Sequence, residues 1–472
     1  MEILHVSAEC YPMAKAGGLA DVVGALPKYQ TSLGHYVKVV MPMHRTKFLV
    51  DNDWEVVHKG AFDMGAFHYD FTVIKEATNK LGFDLYCVDI YGLLDREKIY
   101  GYSDDTERFT AFQIAVLEWV SKWNHRPDII HVHDHHTGLI PFMMKYCYTY
   151  SNLQHVASLL TIHNAQYQGW MNWDKSVYIP AWDTWRWGLL DWDNMINPLA
   201  CGIKCADKVN TVSPGYMNEL MQEANGLESL FNYEAGKCTG IINGIDYEVW
   251  NPVIDTYILD NFGITDYSEG KQLNKKALCR EFNFDENLPL FIFIGRLVNE
   301  KAADLLPGAI QWAYSEYGEK FCCLILGSGE PAVEYSLQAI QHRYTGYYNT
   351  QIKYNEKLSH QMYAGADFLL MPSRVEPCGL NQMYAMRYGT VPVVRRTGGL
   401  RDTVIDFGDE EGYGICFNHA SMDDIVHSMG RGIELYQNKA KLKEVRERMM
   451  NIDLSWESSA EKYMHLYHSI IH

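Results

Sequence analysis

Short apolar runs alternate with amphipathic segments along the whole chain. The first run, EILHVS, predicts a buried strand, and after the next glycines Leu19, Val22, Val23 and Leu26 recur at helical spacing. Gly34 then ends the predicted helix before a second apolar run, VKVVMP. A strand, a helix and a second strand in this order indicate a parallel pair and therefore an α/β layer fold.

The same alternation continues to the end of the chain. Further strands are predicted in PDIIHVHD, VASLLTIHN and KVNTVSP of the first half and in LPLFIFIGRL, KFCCLILGSG, ADFLLMPS, VPVVRR and YGICF of the second. Two successive doubly wound domains fit this pattern better than one large sheet. We place their join in IINGIDYEVWNP, which gives domains at 1–248 and 249–455. The tail, 456–472, is a predicted amphipathic helix that we expect to pack back on the first domain.

Composition and charge exclude several classes of protein. The 472 residues carry a net charge of −18, which makes nucleic acid and anionic membrane surfaces poor partners. No apolar run approaches the ~18 residues that a membrane-spanning helix needs. Glu2, His5 and Glu9 interrupt the first apolar run, so no signal peptide is indicated. The 11 cysteines lack a repeated CxxC spacing, which is typical of reduced thiols, and we expect a cytoplasmic protein.

One pattern occurs twice, at predicted strand-to-helix turns of different domains. KAGGLADVV, residues 15–23, and RTGGLRDTV, residues 396–404, share a basic residue, Gly-Gly-Leu, Asp and Val at the same spacing. Amides at a helix N-terminus bind anions, and glycines let a phosphate approach the backbone. Either copy alone fits a plain tight turn equally well. Two copies favour an anionic ligand held between the domains, where the strands end.

Charged residues follow two predicted strands of the second half. Arg296 comes directly after LPLFIFIG, Lys301 follows near the next helix, and Glu376 comes after ADFLLMPS. Arginine and lysine bind phosphate oxygens and can stabilise a departing diphosphate without a metal ion. A carboxylate at position 376 can accept hydrogen bonds from sugar hydroxyls. The alternative is that these residues are solvated surface charges.

The residues after Glu376 open a predicted helix. The backbone amides of Gly379 and Leu380 would suit a second contact with an anion. Cys378 is most simply a packing residue, although a helix dipole can lower the pKa of a thiol.

The segment HVHDHHTGL resembles a metal site. Strand alternation puts His131 and His133 on one face, so a metal-dependent hydrolase that uses His131, His133, Asp134 and His136 stays open as an alternative. We favour a strand end whose Asp134 side chain points into the cleft, with no metal bound. His163 stands at the end of the next strand, where its position favours a functional role.

Tryptophan is concentrated in one stretch of the first half. Six of the 12 tryptophans lie between Trp170 and Trp192. Their rings would suit a sugar-binding groove, and they fit a packed aromatic cover or a subunit contact equally well.

The chain resembles bacterial glycogen synthases and plant starch synthases, family GT5, through motifs that follow the family's order: KAGGLADVVGALP, HVHDHHTGL, TIHNAQYQG, NGIDYEVWNP, GRLVNEK, the block from PSRVEPCGL to RTGGLRDTV, and a closing SW. The resemblance covers the whole chain. It implies a GT-B fold, two Rossmann-like domains that face each other across a cleft. It also implies a retaining transfer of glucose from a nucleotide-glucose to the non-reducing 4-hydroxyl of an α-1,4-glucan. The first domain would bind the glucan and the second the donor.

The resemblance further implies roles for individual residues. Those implied to be catalytic are Lys15, Asp134, His163, Arg296, Lys301 and Glu376. Those implied to bind the donor are Lys15, Gly17, Gly18, Asn243, Arg296, Lys301, Tyr354, Cys378, Gly379, Leu380, Thr397, Gly398 and Gly399. Those implied to contact the acceptor are Glu9, Tyr100 and His135. Among the donor residues, Tyr354 would pack on the nucleobase.

Three positions depart from the family pattern. Ala16 stands where threonine is usual, His135 replaces a frequent tryptophan, and Ala302 replaces a glycine. In addition, Tyr384 stands eight residues after Glu376, so the broader paired-glutamate pattern of retaining transferases is absent. None of these features removes a charge that the chemistry needs.

The resemblance implies ADP-glucose as donor, glycogen as acceptor, and neither a cofactor nor a metal. UDP-glucose stays open as the donor, and the sequence does not decide whether the protein forms an oligomer. The rival classes are the metal-dependent hydrolase and a non-catalytic glucan-binding protein. A phosphorylase would share the architecture but requires a lysine-bound pyridoxal phosphate.

Overall fold

The chain folds into two compact units. The structure, a computed structural model, describes residues 1–471. The first unit comprises Met1–Asn243 and the chain from Trp456 onward, and the second comprises Gly244–Ser455. The sequence placed the join after residue 248, whereas the first unit ends at Asn243.

The first unit is built on a nine-stranded sheet and a small two-stranded ribbon. Its strands are β1 (Glu2–Val6), β2 (Tyr36–Pro42), β3 (Trp54–Met64), β4 (Phe67–Glu76), β5 (Asp84–Asp89), β6 (Ile129–His133), β7 (Ala157–Ile162), β8 (Asp191–Trp192), β9 (Met195–Ile196), β10 (Lys208–Thr211) and β11 (Cys238–Gly240). The large sheet has the order β11-β10-β7-β6-β1-β2-β5-β4-β3, and β8 pairs with β9.

Most of this sheet is parallel, as the sequence predicts. The exceptions are the pairs β3–β4 and β4–β5, which are antiparallel, whereas β5 is parallel to β2. These three strands were not predicted. The burial of β3 explains why that strand was missed, because most of its residues are exposed and leave no apolar run to read. In contrast, every residue of β6 and β7 is buried, as expected for the centre of a covered parallel sheet.

Helices cover the first sheet. They are α1 (Gly18–Ser32), α2 (Lys47–Asp51), α3 (Asp105–Val120), α4 (Ile140–Tyr146), α5 (Pro198–Cys205), α6 (Pro214–Leu220) and α7 (Glu228–Tyr233). Short 3-10 segments span His135–Thr137, Tyr148–Leu153, Trp173–Tyr178, Thr184–Leu189 and Ala235–Lys237. Local sequence sets these starts: Ser213 caps α6 by accepting from the Tyr216 amide, and Pro214 takes the first helical position.

The second unit contains one parallel sheet of six strands. They are β12 (Leu290–Ile294), β13 (Cys322–Gly327), β14 (Tyr348–Ile352), β15 (Phe368–Met371), β16 (Val391–Arg395) and β17 (Ile415–Phe417). Their order, β14-β13-β12-β15-β16-β17, is 3-2-1-4-5-6 when counted within the unit, which is the Rossmann order. The predicted α/β class with two Rossmann-like domains is therefore confirmed.

Eight helices accompany this sheet: α8 (Tyr267–Phe282), α9 (Leu306–Tyr317), α10 (Pro331–Ala339), α11 (Glu356–Gly365), α12 (Asn381–Arg387), α13 (Gly398–Thr403), α14 (Met422–Gln437) and α15 (Lys439–Met450). The 3-10 segments here are Asn299–Lys301, Ala303–Leu305 and Gln341–Tyr344. All 11 cysteines of the chain are free thiols. Within residues 1–471, every helix is too short or too polar to span a bilayer.

The last helix, α16 (Trp456–His468), belongs to the first unit. Its buried side chains Trp456, Tyr463 and Tyr467 share a hydrophobic cluster with Val22 and Leu26 of α1. Burial of such aromatic side chains gives roughly 2–3 kcal/mol each. The C-terminal helix is thus part of the core of the first unit.

Candidate active site

Each sheet has a point where the chain changes winding direction. β1 lies between β2 and β6 in the first unit, and β12 lies between β13 and β15 in the second. Ligands of open α/β sheets bind at such switch points, outside the carboxyl ends of the strands. In the first unit Asp134 follows β6, and in the second Arg296 follows β12 and Glu376 follows β15. The predicted site residues are therefore positioned by the topology of their own sheet.

The turn before α1 leaves open space at its glycines. Gly17 has φ −154°, which other residues also adopt, and a Cβ added to Gly17 or Gly18 would meet no atom within 4 Å. Neither backbone strain nor crowding therefore requires glycine here. The amide of Gly18, the first residue of α1, has no hydrogen-bond partner within residues 1–471. This turn fits the close approach of a ligand better than a plain tight connection.

A carboxylate of the chain already lies on this turn. Oε2 of Glu9 accepts hydrogen bonds from the amides of Ala16 at 2.5 Å and Gly17 at 3.1 Å, and Tyr100 donates to its other oxygen at 2.5 Å. Burial is the main cause that raises the pKa of Glu9. The two amides that directly precede α1 thus already bind a carboxyl group of the chain.

Lys15 supplies a positive charge beside the same turn. Its Nζ lies 2.7 Å from Oδ1 of Asp21, and its side chain stays half exposed. Burial raises the pKa of Asp21, and the charge of Lys15 opposes that shift. The sequence echo contains this aspartate, but we assigned it no function from the sequence alone. The contact with Lys15 now indicates that Asp21 holds the lysine beside the turn.

Asp134 has a strained backbone and a buried side chain. Its φ of 58° with ψ of −174° is rare for a residue with a side chain, and such outliers cluster at functional sites. Oδ1 accepts from the amide of His163 at 2.7 Å and more weakly from that of Asn164 at 3.4 Å. Burial raises the pKa of Asp134 to about 7, and the two amides oppose the rise. The structure thus brings the predicted residues Asp134 and His163 together.

The histidines form a hydrogen-bonded cluster instead of the proposed hydrolase site. Within residues 1–471, the one group of three potential metal ligands whose donor atoms lie within 4.8 Å comprises His5, His131 and His133. Asp134 and His136, which the hydrolase alternative required, are not part of it. Every ring nitrogen of the three histidines has a protein hydrogen-bond partner. The metal-dependent alternative therefore had the wrong set of residues.

Tyr100 and His135 contact His136, which follows β6, and Asn243 is the last residue of the main segment of the first unit. The ring of Tyr100 stacks on His136 with centroids 4.8 Å apart, and the rings of His135 and His136 are 3.7 Å apart. Burial lowers the pKa of His135 to about 4. Asn243 is buried, and its Oδ1 has no hydrogen-bond partner within residues 1–471. An unpaired buried acceptor of this kind is open to a ligand.

In the second unit, Lys301 and Glu376 form an ion pair. Nζ of Lys301 lies 2.6 Å from Oε2 of Glu376, with side-chain exposures of 24% and 8%. Ser373, which we did not predict, also donates to this oxygen, at 3.0 Å. Its position three residues before Glu376 at the same strand end was the available signal. Because β12 and β15 are neighbours, the loops after them bring the lysine and the glutamate together.

Arg296 remains largely exposed beside this pair. Its guanidinium makes a single long contact, 3.4 Å, with Glu300 of the same loop. Ala302 after Lys301 adopts a left-handed φ of 53°, a conformation that favours glycine. The left-handed backbone explains why the family usually has glycine at this position. Here alanine adopts the same turn, at some cost in strain.

The second glycine turn is packed against protein. A Cβ on Gly398 would lie 2.0 Å from the carbonyl oxygen of Glu376, and one on Gly399 would lie 2.1 Å from that of Cys378. The amide of Gly399 donates to the carbonyl of Glu376 at 3.1 Å. These glycines hold the loop of Glu376 in place. Their predicted donor contacts stay predictions.

The other predicted donor residues differ in exposure. Cys378 and Thr397 are buried. Gly379 has φ +76° and, with Leu380, directly precedes α12. Tyr354 follows β14 and is 85% exposed, so its ring is accessible to a flat partner.

The tryptophan-rich stretch contains both exposed and packed rings. Trp185 and Trp187 are exposed. Trp182 packs on Phe142, and Trp173 donates to Asp191. The stretch thus combines a local aromatic cover with an open aromatic surface.

Comparison with known proteins defines the class. Residues 2–233 match the starch synthase catalytic domain, and residues 274–449 match glycosyl transferases group 1. A glycogen synthase of Flavobacterium johnsoniae is 55% identical over 471 residues, which is 100% of this chain and 99% of that protein. A glycogen synthase of Streptococcus pneumoniae is 35% identical over the full length of both chains.

A solved structure is similar over the same length. The catalytic domain of starch synthase IV from Arabidopsis thaliana, bound to ADP and acarbose, has a TM-score of 0.89 at 30% identity, with 100% of this chain and 99% of that chain covered. The chain is a glycosyltransferase of two Rossmann-like domains. It belongs to the glycogen synthase and starch synthase family.

Proposed function

We propose that the protein transfers glucose, with retention of configuration, from ADP-glucose to the non-reducing 4-hydroxyl of an α-1,4-glucan such as glycogen. The observation that carries this proposal is the meeting of Lys301 and Glu376 at the switch point of the second sheet. One side chain suits a phosphate and the other suits sugar hydroxyls, as a nucleotide-sugar requires. The starch synthase structure with bound ADP and acarbose supports the same donor and acceptor classes.

The leaving group acquires negative charge as the bond to the anomeric carbon breaks. Arg296 is exposed, and within residues 1–471 its one ion pair is with Glu300, so its guanidinium can turn to a diphosphate. Lys301 adds a compact second charge. Fixed positive charges aimed at such a group typically supply about 3–4 kcal/mol of transition-state stabilisation each. In the first unit, Lys15 and the Gly18 amide offer further contacts to the phosphates.

Each unit offers polar groups to glucose hydroxyls at its own switch point. Glu376 is kept in one orientation by Lys301 and Ser373 and can accept from sugar hydroxyls. In the first unit, Asp134 and His163 form the corresponding group. The acceptor 4-hydroxyl attacks the anomeric carbon on the face that the diphosphate leaves, and its proton passes to a diphosphate oxygen. The free thiols fit work in a reducing compartment such as the cytoplasm.

The direct test is transfer of labelled glucose onto glycogen from ADP-glucose and, separately, from UDP-glucose. We expect chain growth with ADP-glucose and a lower kcat/KM with UDP-glucose. Higher efficiency with UDP-glucose would instead support the second candidate donor. Failure of both donors to extend glycogen would overturn the proposed function.

Arg296→Ala tests the role of the phosphate contacts. We expect turnover to fall by ~10²-fold or more, because transition-state charge is no longer neutralised, while the KM for glycogen changes little. Arg343→Ala, which removes another exposed arginine of the second unit, is the matched control. Near-normal turnover of Arg296→Ala would contradict the assignment.

Metal dependence separates transfer from hydrolysis. The predicted chemistry uses Arg296 and Lys301 as cations, so EDTA treatment should leave the rate of glucose transfer unchanged. Loss of glucose transfer with EDTA and its recovery with a single divalent metal would contradict the roles assigned to Arg296 and Lys301. Metal-dependent release of free glucose in place of transfer would support the hydrolase class.

A further inference from the structure

A continuous chain of hydrogen bonds runs through the core of the first unit from His163 to the C-terminal helix. His163 Nε2 lies 3.0 Å from His133 Nδ1, and His133 Nε2 lies 3.1 Å from His5 Nδ1. His5 Nε2 lies 2.8 Å from Oε1 of Gln30. Nε2 of Gln30 then donates to the hydroxyl of Tyr467 at 3.1 Å, across 437 positions of sequence.

The chain continues beyond α16 to the far side of the histidine cluster. The hydroxyl of Tyr467 lies 2.7 Å from His131 Nδ1, and His131 Nε2 lies 2.6 Å from Thr161 Oγ1. Thr161 in turn bonds Oδ1 of Asn210. Nδ2 of Asn210 lies 3.1 Å from the hydroxyl of Tyr463 and 3.4 Å from the carbonyl oxygen of Thr211.

Each histidine in this chain is neutral and carries one ring proton. Burial lowers the pKa of His5 to about 4 and of His163 to about 3, and it lowers the pKa values of His131 and His133 well below their usual range. A neutral imidazole donates from one nitrogen and accepts at the other. Fixing one proton therefore fixes the next, so the whole chain has a single direction.

Asn210 sets that direction. A carbonyl oxygen only accepts, so the Asn210 nitrogen faces Thr211 and its oxygen faces Thr161. Thr161 then donates to Asn210, His131 donates from Nε2 to Thr161, and Tyr467 donates to His131. Gln30 must in turn direct its nitrogen to Tyr467 and its oxygen to His5.

The other half follows from the orientation of Gln30. His5 donates from Nε2 to Gln30 and accepts at Nδ1 from Nε2–H of His133. His133 accepts at Nδ1 from Nε2–H of His163. The remaining nitrogen of His163, Nδ1, is thereby left as a lone pair, and within residues 1–471 it has no hydrogen-bond partner.

We propose that Gln30 and Tyr467 are positioning residues, which act through His5 and His133 to hold His163 in the tautomer that presents Nδ1 as an acceptor. On the basis of the proposed function, the ligand group that donates to this nitrogen is a hydroxyl of the bound glucose. Through Tyr467, the C-terminal helix takes part in orienting His163. When the Tyr467 hydroxyl is absent, the amide of Gln30 can rotate and donate to His5. The ring proton of each histidine from His5 to His163 then moves to the other nitrogen.

Two tyrosines of α16 provide a closely matched pair of variants. Tyr467 and Tyr463 lie one helical turn apart on α16, and both are fully buried. Tyr467→Phe removes the link between Gln30 and His131. Tyr463→Phe makes the same chemical change beyond Asn210, whose contact with Thr211 still sets the direction.

The test is ¹⁵N NMR of the full-length protein labelled at histidine, with the His163 signal identified by its loss in His163→Gln. The wild type should carry the His163 proton on Nε2, and Tyr463→Phe should retain that pattern. Tyr467→Phe should show a second tautomer at His163 and a roughly tenfold lower kcat with an unchanged KM for glycogen. Gln30→Met, which removes the acceptor of His5, should behave like Tyr467→Phe.

A His163 proton on Nδ1 in the wild type, or an unchanged tautomer in Tyr467→Phe and Gln30→Met, would overturn the proposal. Stoichiometric binding of added Zn²⁺ by His5, His131 and His133 would also overturn it, because a metal would displace these hydrogen bonds. The NMR result is independent of turnover. If the tautomers are as predicted but the protein transfers no glucose, the proposed function is refuted and the role of Gln30 and Tyr467 as positioning residues stands.

Discussion

The two Gly-Gly-Leu turns have nearly the same sequence and different surroundings. At Gly17 and Gly18 an added Cβ meets nothing within 4 Å, and the helix that follows has 15 residues. At Gly398 and Gly399 an added Cβ would lie 2.0–2.1 Å from backbone oxygens, and the helix that follows has 6 residues. A short helix has a weaker dipole with which to attract an anion.

One sequence motif therefore serves two physical purposes in this protein. The glycines of the first turn leave room for a ligand, while those of the second let two backbone segments touch. Through that contact, the second turn fixes the loop that carries Glu376. The sequence echo thus marks a turn with open space in the first unit and a packed turn in the second.

Two buried carboxylates, Asp134 of the first unit and Glu376 of the second, also differ in their surroundings. Glu376 is paired with Lys301. Asp134 is held by the amides of His163 and Asn164, with no cation in hydrogen-bond contact within residues 1–471. Burial therefore raises the pKa of Asp134 to about 7. The first unit carries an electrostatic cost that the second unit avoids.

Gly399→Ala should have the largest effect on stability. Its Cβ would meet the Cys378 backbone, which cannot move aside, so we expect a loss of about 4 kcal/mol or more in the free energy of unfolding. Urea unfolding followed by circular dichroism measures it. Gly263→Ala, whose Cβ would meet nothing closer than 3.7 Å, is the control. A Gly399→Ala protein as stable as this control would show that the second turn is not packed.

Asp134→Asn should stabilise the protein in a manner that depends on pH. Between pH 4 and 7 the native state retains a proton that the unfolded state has lost, so the wild type loses stability as the pH rises through this window. Asparagine does not titrate and still accepts from the His163 amide. The variant should gain about 4 kcal/mol at pH 8, which corresponds to a rise of about three pKa units, and almost nothing at pH 4.

Thermal melting at a series of pH values checks this prediction. Asp174→Asn removes an exposed carboxylate of the same unit and should show no such trend. An equal shift of the melting temperature at pH 4 and pH 8 would show that Asp134 is ionised throughout.

Lys15→Ala should have a smaller effect, confined to catalysis. Lys15 is half exposed, so its loss should barely change stability, but the donor phosphates lose a charge at the first turn. We expect kcat/KM for ADP-glucose to fall ~10- to 100-fold, or about 1.4–2.7 kcal/mol. Lys47→Ala is the control. Equal values of kcat/KM for the two variants would show that Lys15 does not contact the donor phosphates.

Much of the fold could be predicted because parallel strands are apolar on both faces. The runs around Ile129, Leu290 and Cys322 all form buried strands. Lys301 and Glu376 were recognised from the sequence as residues that follow predicted strands, and the structure shows that those strands, β12 and β15, are neighbours. The strand β3 was missed because most of its residues are exposed and leave no apolar run. The strand β5 is buried and was missed although its sequence, DLYCVD, contains a short apolar run.

Contacts between distant residues could not be predicted from one sequence. The hydrogen bond between Gln30 and Tyr467 joins positions 437 apart, and neither residue belongs to a motif. Glu9 was expected to contact the acceptor, and nothing in its neighbours indicated that its carboxylate would bind the Ala16 and Gly17 amides. The two glycine turns differ only in what packs on them, which the motif does not encode.

The most direct test of this account is the rate of glucose transfer from ADP-glucose to glycogen by Gly17→Ala, measured beside its melting temperature. The backbone at Gly17 accommodates alanine and the added Cβ meets no protein atom. We predict an unchanged melting temperature and a kcat/KM for ADP-glucose reduced at least ~10-fold, because the methyl group occupies the space of the donor phosphates. A lowered melting temperature with full activity would contradict the account and assign the first turn to packing.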